Sequence, residues 1–188
     1  MAKITDTDIF PLATTLNDDA LVYTVDGSTS TPLDKSIQLQ NLIDHNKHFG
    51  QVYVQGASAT QTVTADTWTK VTAFTANGLV NGCTADHAND LITLGKTGLW
   101  LVMYSASLYS ASVATVDLGI YLDSTIIAPT QSTQKVGAGY TLQTGSVGIV
   151  DVTSISGTAD NISVYARSTH TAFIIGNASL TAIRLMNT

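Results

Sequence analysis

Four histidines, one cysteine and fourteen acidic residues are the side chains from which this chain could build reactive chemistry. His45 and His48 stand three apart beside Asp44, a spacing that could offer two imidazoles to a divalent metal. No third ligand follows at metal spacing, and a solvated hinge is the simpler reading. Asp86-His87-Ala88-Asn89-Asp90 carries oxygen ligands of the kind calcium takes, but without the Asp-x-Asp-x-Asn-Gly order of a calcium loop. It reads as a surface loop. The acids are all aspartates, and the chain has no glutamate. Glycoside hydrolysis needs two carboxylates facing across a cleft. Aspartates placed in turns serve local backbone bonding instead. There is no Gly-x-Ser-x-Gly elbow, and Gly145-Ser146-Val147-Gly148 falls inside a predicted strand. Gly137-Ala138-Gly139 follows Lys135 but leads to no Gly-Lys-Ser/Thr, so it is not a phosphate loop. The lone Cys83 can make no intrachain disulfide and reads as a small hydrophobe. These residues predict a protein without catalysis, metal or other cofactor.

The aromatic residues offer a different chemistry. Trp68 and Trp100, with Tyr104, Tyr109, Tyr121, Tyr140 and Tyr165, could stack against sugars. At strand spacing, aromatics more commonly fill cores and subunit contacts. Composition points the same way. Hydrophobic residues make up 44% of the 188, and charged residues only 12%, against roughly 25% in an ordinary globular chain. Low charge with abundant Thr and Gly suits β-rich, self-associating proteins. The net charge of -6, with eight scattered Lys and Arg, argues against nucleic acid, whose binding rests on basic side chains displacing counterions. No apolar run approaches the ~18 residues of a membrane span. The N-terminus shows no secretory h-region. A protein made in the cytoplasm, which stays soluble there or leaves by another route such as cell lysis, is expected.

The elements that position these residues fall into two parts. Residues 1–48 read as an extended arm. Its apolar runs, such as Ala20-Leu21-Val22-Tyr23-Thr24-Val25 and the alternating Ser36-Ile37-Gln38-Leu39-Gln40-Asn41-Leu42, are too short to form an independent core. Residues 49–188 read as one all-β domain. Strands are predicted at 51–55, 60–65, 67–75, 91–94, 99–109, 115–122, 124–129, 140–151, 161–167 and 179–185. Glycine and Asn/Asp clusters such as Asn77-Gly78, Asn81-Gly82, Gly157-Thr158-Ala159-Asp160 and Gly176-Asn177 punctuate them. Gly95 and Gly98 bracket a tight turn that calls for positive φ. After it, Leu99 to Leu108 run without a charge, so the strand must be covered in a sandwich, a subunit contact or both. Short strands with turns about every ten residues suggest a sandwich or jelly roll.

Gly98-Leu99-Trp100-Leu101-Val102, following the short strand Leu91-Ile92-Thr93-Leu94, resembles the Gly-x-aromatic-x-aliphatic strand of the C1q/tumour-necrosis-factor jelly-roll family. Asp160 before Ile162-Ser163-Val164-Tyr165 resembles that family's Gly-Asp-strand element, although the glycine, Gly157, lies three residues earlier. The final stretch, Ala178 to Leu185, sits where the family has its last core strand. The resemblance covers residues 51–186. It implies a C1q/TNF-like jelly-roll sandwich and a homotrimer built through strand residues. Trp100, Val102 and Tyr104 are the candidate trimer contacts, with the opposite parity, Leu99, Leu101 and Met103, left open.

The arm carries its own resemblance. Ile4-Thr5-Asp6 to Leu12, Asp19-Ala20-Leu21-Val22-Tyr23-Thr24-Val25-Asp26-Gly27-Ser28 and Lys35-Ser36-Ile37-Gln38-Leu39-Gln40-Asn41-Leu42 are similar to an N-terminal module of tailed-bacteriophage structural proteins. It implies a segment that anchors fibres and decoration proteins to the particle, with Ile9, Leu12, Leu21, Val25, Ile37, Leu39 and Leu42 as anchoring residues. Together the resemblances imply a capsid decoration, cement or head-fibre protein on the virion surface. Its partners would be its own copies and the major capsid protein or another virion structural protein, with no nucleic acid and no membrane. The alternative is a tail-fibre or receptor-binding protein whose jelly-roll head takes a host glycan.

Overall fold

The computed structural model describes residues 21–25, 34–38, 48–56, 59–153 and 160–186. The chain divides into two units, Met1–His45 and Asn46–Thr188. In the first, β1 (Leu21–Val25) pairs antiparallel with β2 (Asp34–Gln38), Leu21 opposite Gln38 and Val22 opposite Ile37. The apolar run and the alternating stretch are thus partners of one another. This register sets Ile37 one position out of phase with Leu21 and Val25. Ile9, Leu12, Leu39 and Leu42 lie outside the described residues.

The second unit is built from strands in two antiparallel sheets. In chain order they are β3 (Phe49–Val54), β4 (Ala59–Thr62), β5 (Thr69–Lys70), β6 (Ala76–Asn77), β7 (Thr84–Asp86), β8 (Leu91–Thr93), β9 (Gly98–Ser110), β10 (Ala114–Leu122), β11 (Thr125–Ile126), β12 (Ser132–Val136), β13 (Tyr140–Val152), β14 (Asn161–Ser168) and β15 (Ala172–Met186). Sheet I runs β11-β10-β14-β8-β7, with β12 also on β10 and β5 on β14. Sheet II runs β13-β9-β15-β3-β6, with β4 also on β15. Period-two alternation sends one side of each sheet inward. Trp100, Leu108, Leu180 and Val52 from sheet II meet Ile92, Leu118, Ile120 and Ile162 from sheet I in a single buried core.

The positions that bend the chain are chemically marked. Gly95 and Gly98 take φ +67 and +127, as the turn before β9 requires. A Cβ on Gly98 would stand 2.2 Å from the Met186 carbonyl oxygen. The described non-glycine residues at positive φ are all aspartates: Asp66, Asp90, Asp123 and Asp160. Short polar side chains that bond their own backbone tolerate this region best.

Three of the departures from the sequence expectation have a clear local cause. Only Thr69–Lys70 of the predicted 67–75 strand is in a ladder, because side chains take over its backbone groups. Thr72 N–H donates to Gln61 Oε1 at 2.9 Å, and Phe74 N–H donates to Asp90 Oδ1 at 3.0 Å. The polar stretch Ser132–Val136, expected as a loop, pairs with Ala114–Leu118 as β12. Gly176-Asn177 is no turn. It forms a bulge within β15, where Asn177 N–H donates to Ser107 Oγ at 2.7 Å, so the last strand starts seven residues before its predicted Ser179.

Candidate subunit interface

Trp100, Val102 and Tyr104 point into the sandwich. Their exposures are 0%, 0% and 4%, so their own subunit already covers them and they have no area to give another. The Trp100 indole N–H is satisfied internally by the Lys96 carbonyl at 3.1 Å. The Tyr104 hydroxyl lies 2.6 Å from Ser132 Oγ, and burial pushes its pKa up. These three residues are core, and the opposite parity of β9 faces out. Sequence spacing defines the two alternating sets of a strand but not which one faces the core.

That outward parity builds a continuous surface across sheet II. Register sets Ile149, Leu101, Ile183 and Phe49 side by side on β13, β9, β15 and β3, and Val147, Met103, Thr181 and Gln51 in the next row. Several of these side chains are exposed: Ile149 by 56%, Val147 by 53% and Ile183 by 39%. Met186, opposite Leu99, and Leu185 extend the apolar area. Among the described residues of β3, β9, β13 and β15, the outward positions hold one charge, Asp151. The only other charged residue in these strands, Arg184, is buried and its Nε donates to the Thr97 carbonyl at 2.8 Å. The next row turns polar. Ser105 and Ser179 share a hydrogen bond at 3.0 Å, beside an open groove of ≈ 410 Å³ that Tyr53, Gln55 and Asn177 also line.

Scattered apolar side chains are ordinary on a protein surface, whereas a contiguous uncharged patch marks a contact site. β13, at the end of sheet II, adds a second pressure toward association. A long flat edge strand without lysine or proline invites pairing, and β13 has neither.

The remaining sequence candidates resolve into structural roles. His48 packs against Trp100 with ring centroids 6.4 Å apart, while His45 lies outside the described residues. The Asp86–Asp90 loop closes the β7–β8 hairpin. Asp86 accepts from the Asn89 N–H and the Asn89 side-chain amide at 3.1 and 2.7 Å, which holds its pKa low. Among the described residues no three His, Cys or Asp side chains are grouped to hold a metal. Burial pushes the Cys83 thiol up to about 12, so it is not poised as a thiolate nucleophile. Of the aromatic residues, Trp68, Tyr121 and Tyr165 gather on the outward side of sheet I.

The layer architecture and strand order can be set beside solved structures. The globular domain of zebrafish complement 1qA matches with TM-score 0.52 and 10% identity, covering 76% of this chain and 99% of that one. Eiger TNF from S. frugiperda gives 0.53 at 9% identity, covering 76% and 95%. The fold is a C1q/TNF-like jelly roll. The PRD1 vertex protein P5 gives 0.48 at 12% identity, covering 75% and 99%. No protein-family model matches the sequence. No curated protein matches it either. Within this jelly roll, the outward side of sheet II carries one charge among its described residues of β3, β9, β13 and β15, and Trp68, Tyr121 and Tyr165 gather on that of sheet I.

Proposed function

We propose that this chain is a non-enzymatic structural protein of a bacteriophage virion. It associates as a homotrimer through the outward face of sheet II and binds the assembled capsid through its N-terminal arm, as a cement or head-fibre protein. The observation that carries the self-association is the uncharged row Ile149–Leu101–Ile183–Phe49 on a sheet whose inner side is already packed. Each exposed Ile or Val withdrawn from water contributes on the order of 1 kcal/mol. Several per subunit, repeated around a symmetry axis, offset the entropy of association. The capsid role is supported by the similarity of the arm to phage anchoring modules, including the β1 and β2 segments. Its mechanism is linkage: a protein that binds the shell and not its free subunits stabilises the shell by mass action. Three arms on one trimer add avidity. The protein is made in the host cytoplasm and resides on the capsid surface.

Two variants test the reading. Ile149→Asp places a charge within the proposed contact and is expected to give a folded monomer by light scattering and circular dichroism. A trimer that persists removes this face from the contact. A chain lacking residues 1–42 is expected to remain trimeric and to lose co-sedimentation with capsids. Retained co-sedimentation overturns the anchoring role of the arm.

A further inference from the structure

The outward side of sheet I carries a cluster that neither self-association nor anchoring uses. Tyr121 on β10 and Tyr165 on β14 stack with ring centroids 4.2 Å apart at 33°. Trp68, just before β5, meets Tyr121 edge-on at 5.8 Å. The Arg167 guanidinium lies 5.3 Å from the centre of the Trp68 ring. Its Nε and Nη2 both donate to Asp117 Oδ2, at 2.9 and 2.7 Å. Asp117 Oδ1 in turn accepts from the Thr133 hydroxyl at 2.6 Å. Trp68, Tyr121, Tyr165 and Arg167 all keep partial exposure, and the Arg167 side chain is 42% exposed.

We infer that this aromatic face binds neutral pyranose sugars of a glycan. A pyranose ring presents an apolar C–H face and a rim of hydroxyls that both donate and accept. Flat aromatic rings take the first at little conformational cost, since their own packing has already fixed them. A carboxylate and a guanidinium held side by side offer acceptor and donor to the second in fixed geometry. Here that pair is in place before any ligand arrives, locked by two bonds between its members and one from Thr133. The Tyr121 hydroxyl, like any phenol, is protonated at neutral pH, and burial and the neighbouring Tyr165 push its pKa further up. It can therefore both donate and accept. Charge does not draw in acidic sugars, because Arg167 is already paired with Asp117.

This inference stands apart from the capsid reading, because the cluster lies on the opposite sheet from the proposed subunit contact. The full chain should be applied to an array of neutral oligosaccharides containing glucose, galactose, mannose, rhamnose and N-acetylglucosamine, with sialylated and sulfated glycans alongside. The expected result is saturable binding to at least one neutral oligosaccharide, about tenfold weaker or worse in Trp68→Ala and Arg167→Gln. Tyr165→Phe removes one hydroxyl at nearly constant shape, so a loss of about threefold there, with the melting temperature kept, separates recognition from folding. Absence of neutral-sugar binding at millimolar concentration overturns the inference. So does binding confined to anionic glycans, or binding unchanged in all three variants. Capture of a protein through Trp68 without any sugar binding also overturns it.

Discussion

Asp90 shows how a single side chain can set the pH response of this fold. The residue is 8% exposed, and its carboxylate accepts from Phe74 N–H at 3.0 Å. Burial raises its pKa, against the lowering effects of that bond, Lys70 and His87, while Asp86 adds to the rise. A carboxylate whose folded pKa exceeds its unfolded value gives stability that is complete below the unfolded pKa. That contribution is lost as pH climbs through the folded one. Asp90→Asn keeps the Oδ1 acceptor, suits the φ of 52, and removes the buried charge. It is expected to raise Tm at pH 7 and to flatten the fall of Tm as pH climbs above about 4, the ordinary carboxylate value. A lower Tm at pH 7 with the slope unchanged would show that attraction to Lys70 outweighs burial. Asp90 was visible in the sequence only as a member of a loop. Its role depends on Phe74, sixteen residues away, coming within bonding distance.

At the scale of elements, most of the long strands were legible in their limits and most of the short ones were not. β9, β10, β13 and β14 begin and end within a residue of their predicted limits, because uninterrupted strand formers bounded by turn residues leave few alternatives. β12 escaped notice because Ser132-Thr133-Gln134-Lys135-Val136 has one apolar residue, and only Val136 is buried. Nothing local distinguishes such an edge strand from a loop. The bulge in β15 escaped for the opposite reason: Gly176-Asn177 carries a strong turn signal, which pairing with β9 on both sides overrides. The parity of β9 was similarly illegible, since both of its alternating sets are apolar. The two sets have separate fates under mutation. Trp100→Ala empties a fully buried site and is expected to destabilise the fold by about 3–5 kcal/mol. Chemical denaturation would measure it as a lower midpoint at unchanged slope. Equal loss on Leu101→Ala, from the half-buried outward set, would contradict this division.

For the whole molecule, the two sheets share one core but present different chemistry to their surroundings, and the candidate sites follow that division. Sequence alone offered the aromatic residues as an undivided group. The fold sends Trp100 and Tyr104 inward and gathers Trp68, Tyr121 and Tyr165 on sheet I, through pairings that join residues more than forty positions apart. If copies associate through sheet II, folding and assembly are linked. Tm should then rise with protein concentration in the wild type and become independent of it in Ile149→Asp. A wild-type Tm constant over a hundredfold dilution would count against an assembled state. The aspartates at positive φ carry one more consequence. These acids sit at bends between strands, so the residues that shape the turns keep their charge away from the outward rows of sheet II where the contact is proposed.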